Sequence, residues 1–110
     1  MARRKRHQDI LFEVKTPIGL LVRVTVSYWE LISTVKHPVM DGKVVEVQGT
    51  LEWPDEIRQS KRDASVFLFY KQSGMGRWTC AVIKRLDGEG FLVTTYPTDN
   101  IKEGVSIWHK

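Results

Sequence analysis

The chain has 110 residues, of which 42% are hydrophobic and 27% charged, and a formal net charge of +4. That length supports one hydrophobic core rather than two, and the composition excludes an intrinsically disordered chain. The single cysteine, Cys80, excludes an intrachain disulfide or a cysteine-based zinc site, and no apolar run approaches the ~18 residues of a membrane span; the expected setting is the reducing cytoplasm, with no membrane partner.

Residues 1–9 read as a basic, flexible arm. Arg3, Arg4, Lys5 and Arg6 supply much of the positive charge, so residues 10–110, read as a single α+β domain, are nearly neutral. Short charged termini are commonly solvated. A nucleic-acid site in the body would need local clusters, and residues 58–62 and 84–85 are the candidates. Two apolar runs, residues 10–14 and 20–26, flank Pro17 and Gly19 and predict a β-hairpin. From Tyr28 the apolar spacing turns helical through Trp29, Ile32 and Val35. Ser27 is available as its cap, and Pro38 forces an end at or before His37. A second helix opens at Asp41, sets Val44, Val47 and Leu51 on one face, and stops at Pro54; Gly49 weakens it.

Residues 55–60 predict a short edge element. Residues 65–71, 77–85 and 91–96 are strands of apolar, β-branched and aromatic residues, joined by tight turns at residues 73–76 (SGMG) and 87–90 (DGEG). Trp108 is placed to fold back and seal the core, and Trp53 and Trp78 are read as core aromatics. The expected fold is α+β: an N-terminal β-hairpin and two helices packed on a mainly antiparallel four-stranded sheet.

Taken in order, the His37-Pro38 helix end and residues 54–60 (PDEIRQS), 69–71 (FYK), 80–84 (CAVIK), 88–99 (GEGFLVTTYPTD) and 101–104 (IKEG) carry a family pattern. The chain resembles the phage-type and toxin-type branch of the barnase/EndoU/colicin/RelE-like ribonucleases over about residues 28–108. The resemblance implies an endoribonuclease that needs no metal or cofactor. In such an enzyme the ribose 2′-hydroxyl attacks the adjacent phosphorus and a 5′-hydroxyl leaves, while side chains transfer protons and stabilise the phosphoryl oxygens. RNA is the implied substrate, and toxins of this kind imply a protein inhibitor as a further partner.

His37 is the candidate for proton transfer, because imidazole titrates near physiological pH and a helix carboxyl end favours its charged form. The alternative is a helix-end histidine satisfied by backbone carbonyls. His7 and His109 lie near the termini. Arg58 can hold two phosphate oxygens at once, or belong to the charged surface run 56–62. Ser60 either donates to the same phosphate or braces a turn. Tyr70 and Lys71 alternate in direction, as do Lys84 and Arg85, and Lys71 and Lys84 are the cations expected in the cleft. Thr95 resembles a hydroxyl that binds the scissile phosphate, and Tyr96 a base-stacking or proton-transferring aromatic; both residue types also favour sheets for packing alone. Metal-ligand spacing, a phosphate loop and a G-x-S-x-G nucleophile turn are all missing from the sequence. The competing class is a non-catalytic RNA-binding or protein-interaction module on the same scaffold.

Overall fold

Alternating burial organises the first described segment. The computed structural model describes residues 9–110, so His7 and the basic arm up to residue 8 lie outside them. Strand β1 (Ile10–Lys15) buries Phe12 and Val14, and β2 (Leu21–Thr25) buries Val22 and Val24, leaving the residues between them outward. Helix α1 (Val26–Leu31) follows at once, capped by Thr25, whose hydroxyl accepts the Tyr28 N–H at 3.2 Å; the cap lies two residues before the expected Ser27. The helix then widens into a π turn, Ile32–Lys36, closed where the His37 N–H donates to the Ile32 carbonyl at 2.8 Å. A 3-10 turn, Pro38–Met40, leads to α2 (Val44–Glu52). Lys43 precedes α2 without a side-chain cap, so Asp41 does not cap it.

The remaining chain is strand: β3 (Glu56–Gln59), β4 (Val66–Gly74), β5 (Arg77–Leu86), β6 (Glu89–Thr98) and β7 (Val105–His109). All seven described strands form one mixed sheet in the order β1-β2-β6-β5-β4-β3-β7. This corrects the expected four-stranded, mainly antiparallel sheet with a separate hairpin. The hairpin joins the sheet through a parallel contact, Val22 opposite Gly90 and Arg23 opposite Phe91. Gly90 permits that approach: a Cβ there would stand 2.9 Å from Ile83 Cγ2 and 3.0 Å from Val22 Cγ2. At the other end β7 pairs with β3, Ile57 opposite Trp108, so residues 56–59 are interior and not an edge.

One short helix covers the core that the joined strands share. Val47 and Leu51 of α2 are fully buried in a core formed by Phe12, Val14, Val22 and Val24 of the hairpin together with Ile57, Phe69, Ala81 and Ile83 of the central strands. The hairpin and the central strands thus share one core under the nine residues of α2. Trp108 packs on this core, and Trp78 is partly buried on the opposite face; Trp53, expected in the core, is 68% exposed. Among the described residues no helix is long and apolar enough to cross a membrane.

Gly49 lies within α2, where an added Cβ would meet nothing within 4 Å. Glycine inside a helix costs about 0.5–1 kcal/mol relative to alanine. Gly49→Ala should therefore raise the melting temperature, by about 2–8 °C for a domain of this size, as read by circular dichroism during heating.

Candidate functional site

The sheet face turned away from α2 carries a row of reactive side chains. Register sets Tyr70 opposite Cys80 and Cys80 opposite Tyr96, so three neighbouring strands each present one of them on that face. They form a small apolar cluster with Leu68, flanked by Trp78, Val82 and Ile101. Burial pushes the Cys80 thiol up to about 11, although Tyr96 and Tyr70 both interact with it in the opposite sense. A thiol held protonated and enclosed is a poor nucleophile. Burial also raises the pKa values of both phenols, reinforced by Cys80 between them. Tyr70 and Tyr96 are therefore neutral hydrogen-bond donors near neutral pH, not bases.

His37 stands at the end of this row. The wider π turn redirects the chain as it leaves the helix, and the His37 backbone takes φ −143° and ψ 80°. Its half-buried ring lies 5.5 Å from the Tyr96 ring, centroid to centroid, with the planes tilted by 41°. Neither ring nitrogen has a hydrogen-bond partner among the described residues; the helix end is closed by the His37 backbone and not by its imidazole.

Among the described residues the edge of β6 beside His37 pairs with a strand only at the short β2 contact, and it is met by the π turn and the 3-10 turn. Tyr28 donates to the Val93 carbonyl at 2.8 Å, and Lys36 Nζ donates to the same carbonyl and to the Tyr28 hydroxyl, both at 3.1 Å. Thr94, on the same face as Tyr96, has a buried Oγ1 with no partner among the described residues. A buried hydroxyl without a partner is costly and rare.

The other residues singled out in the sequence are distributed around the fold. Thr95 faces the core, is fully buried, and donates from Oγ1 to the Cys80 carbonyl at 2.8 Å. Arg58 shares the face of Tyr96 but is three strands away, at roughly 4.8 Å per step. Its Nε donates to the Glu103 carbonyl at 2.7 Å and Nη2 to the Gly104 carbonyl at 2.9 Å, while Nη1 pairs with Glu56 at 2.7 Å. Arg58 thus latches the loop before β7. Ser60 accepts the Arg62 N–H at 3.1 Å and braces a turn.

Lys71 lies on the α2 side of the sheet, its Nζ donating to the Trp53 carbonyl at 2.9 Å. Lys84 pairs with Asp63 at 3.1 Å and lines a hollow of about 430 Å³ with Tyr28 and Phe91. The Ser65 hydroxyl and backbone N–H, together with Lys84, hold the Asp63 carboxyl down at about 2. The structure therefore brings His37 and Tyr96 together and leaves Arg58, Ser60, Lys71, Lys84 and Thr95 elsewhere.

Three residues of the site escaped the sequence reading: Thr94, Lys36 and Cys80 in its role between two phenols. A signal for the last was available, because turns at residues 74–76 and 87–88 fix the pairing of Tyr70, Cys80 and Tyr96. Among the described residues no three His, Cys, Asp or Glu side chains are grouped to hold a metal ion. No protein-family model, curated protein or solved structure matches this chain.

Proposed function

We propose that this domain is a ribonuclease that cleaves RNA through attack of the 2′-hydroxyl, acting in the cytoplasm. The observation that carries the reading is the His37 imidazole, half-buried against Tyr96 and without a hydrogen-bond partner among the described residues. A group held in place yet unengaged is free to exchange a proton with a ligand. In the proposed reaction His37 moves the proton released by the 2′-hydroxyl, the 2′ oxygen bonds to phosphorus, and the bond from phosphorus to the 5′ oxygen breaks. The 5′ oxygen leaves as a hydroxyl. The neutral Tyr96 phenol donates to a phosphoryl oxygen, with the Lys36 ammonium nearby to offset the charge.

The sequence resemblance to barnase/EndoU/colicin/RelE-like ribonucleases supports the same chemistry, and of the catalytic candidates it implies, His37, Arg58, Thr95 and Tyr96, the first and the last stand together. A second reading, a non-catalytic RNA-binding module, is favoured by one observation. Arg58, Lys71 and Lys84 each have an internal partner, which leaves fewer cations to face a scissile phosphate. The purified chain should cut single-stranded RNA in the presence of excess chelator and leave DNA intact, because the nucleophile is the ribose hydroxyl itself. Equal cutting of DNA, or cutting that stops on chelation, would remove the 2′-hydroxyl mechanism.

A further inference from the structure

Three hollows follow one another on the α2 side of the sheet. The first, about 460 Å³, opens between Trp53 and Trp108 and is rimmed by Lys15, Lys71 and Lys110. The second, about 210 Å³, continues from Lys71 past Gly49 and Ser73. The third, about 360 Å³, shares Glu46, Ser73 and Thr79 with the second and is bounded by Lys43, Arg77 and Pro97. Shared walls make them one groove between α2 and the β4–β5 hairpin. Its far end includes Val39, Met40 and Pro97, next in the chain to His37 and Tyr96, whose rings lie on the other face of the sheet.

We propose that this groove is a track that binds single-stranded RNA, with Trp53 as a platform on which one unpaired base stacks, and that the strand rounds the β6 edge to reach His37 and Tyr96 on the other face. The proposal rests on the ribonuclease reading of His37 and names how its substrate is held.

Charge favours a polyanion. Among the described residues the groove is lined by five cationic side chains against two carboxylates, Glu46 and Glu52. Lys15, Lys43 and Arg77 have no ion-pair partner there, and so are available to phosphates spaced along a strand. Shape favours a polymer, since a string of open hollows suits repeated units where a single enclosed cavity would suit one small ligand.

Trp53 favours bases. Its side chain is 68% exposed beside Lys71 and Lys110, a position that leaves a large apolar surface in water unless a ligand covers it. Bases in a duplex have their faces hidden in the stack, so only an unpaired base can lie on an exposed indole. Gly49 is the independent observation. It weakens α2, and nothing in the chain packs where its Cβ would be, yet it lines the middle hollow, where a side chain would obstruct a strand lying against the helix.

The test uses the full-length chain carrying His37→Ala, so that bound RNA is not cut, and fluorescence anisotropy with a labelled twelve-nucleotide single-stranded RNA. Trp53→Ala should weaken binding by about tenfold or more, the usual loss for one stacked base. Arg77→Gln and Lys15→Gln should each reduce the slope of log affinity against log salt by about 0.7. Gly49→Gln should bind RNA at least several-fold more weakly while melting no lower than its parent, a combination that misfolding cannot produce. The same sequence as a duplex should bind much less tightly.

Unchanged affinity in Trp53→Ala, or equal binding of the duplex, overturns the track even if the unsubstituted chain cuts RNA. Loss of affinity in Trp53→Ala with no cleavage by the unsubstituted chain does the reverse: the track stands and the role of His37 falls.

Discussion

Replacing His37 with alanine should lower the rate of RNA cleavage by about 10²–10⁴-fold, the usual loss of a general acid or base. Stability should hardly change. The ring makes one aromatic contact, with Tyr96, and no hydrogen bond among the described residues, so its removal forfeits about 0.5–1.5 kcal/mol. RNA affinity should also persist, because the cations and Trp53 that line the groove are untouched. A histidine that served only to finish the helix would give another pattern, in which the melting temperature drops and activity falls only with the unfolded fraction. Melting temperature, affinity and rate measured on the one variant separate the two. The substitution acts on the link between geometry and chemistry, leaving the fold as it is.

Gly104→Ala should do the opposite, with its damage falling first on stability. Gly104 has φ +80°, and a Cβ there would lie 2.5 Å from the Gln59 carbonyl oxygen and 3.0 Å from its carbon. Those atoms belong to the backbone of β3, which is paired on both sides and has no room to yield. The left-handed conformation costs a residue with a side chain about 1–2 kcal/mol, and forcing atoms into a packed site costs about 1–3 kcal/mol. A loss of about 2–5 kcal/mol in urea denaturation is therefore expected, a large share of the total for a small domain. The consequence reaches the site. The same loop receives Arg58 through the Glu103 and Gly104 carbonyls and carries Ile101 onto the Tyr70-Cys80-Tyr96 cluster. A loss below about 0.5 kcal/mol would show that the loop relaxes freely and that Arg58 does not hold it.

Parts of this architecture were legible from local pattern and parts were not. The three long strands and their glycine turns are encoded over a few residues each, and β4, β5 and β6 lie where alternation and turn chemistry put them. Sheet order is a different kind of information. The β2–β6 and β3–β7 pairings join segments far apart in sequence, and β7 leaves Val105 and Ile107 exposed, so its apolar residues do not announce a buried face. The burial usual for aromatics predicts Trp53 in the core, yet it follows directly on α2, past the helix's last buried position at Leu51.

Within the site, the proximity of His37 to a strand followed from its place before Pro38, but the π turn that aims it has no signature in the spacing of Trp29 and Ile32. Thr94 and Thr95 show how fine the difference is. Both are strand threonines, and a register shift in β5–β6 pairing next to them decides which parity faces the core, so that Thr95 is buried and bonded while Thr94 Oγ1 faces Tyr96's side without a partner. Arg58 could not be resolved from sequence for a similar reason, since the carbonyls it holds are brought to it by the return of β7.

The end groups of the RNA fragments test the central claim most directly. Single-stranded RNA incubated with the unsubstituted chain and excess chelator should yield fragments with a 2′,3′-cyclic phosphate, or the 3′-phosphate its hydrolysis leaves, at one end and a 5′-hydroxyl at the other, as read by mass spectrometry, because attack by the 2′ oxygen closes that ring as the 5′ oxygen leaves. Fragments ending in a 5′-phosphate and a 3′-hydroxyl, or intact RNA at every protein concentration, would contradict it.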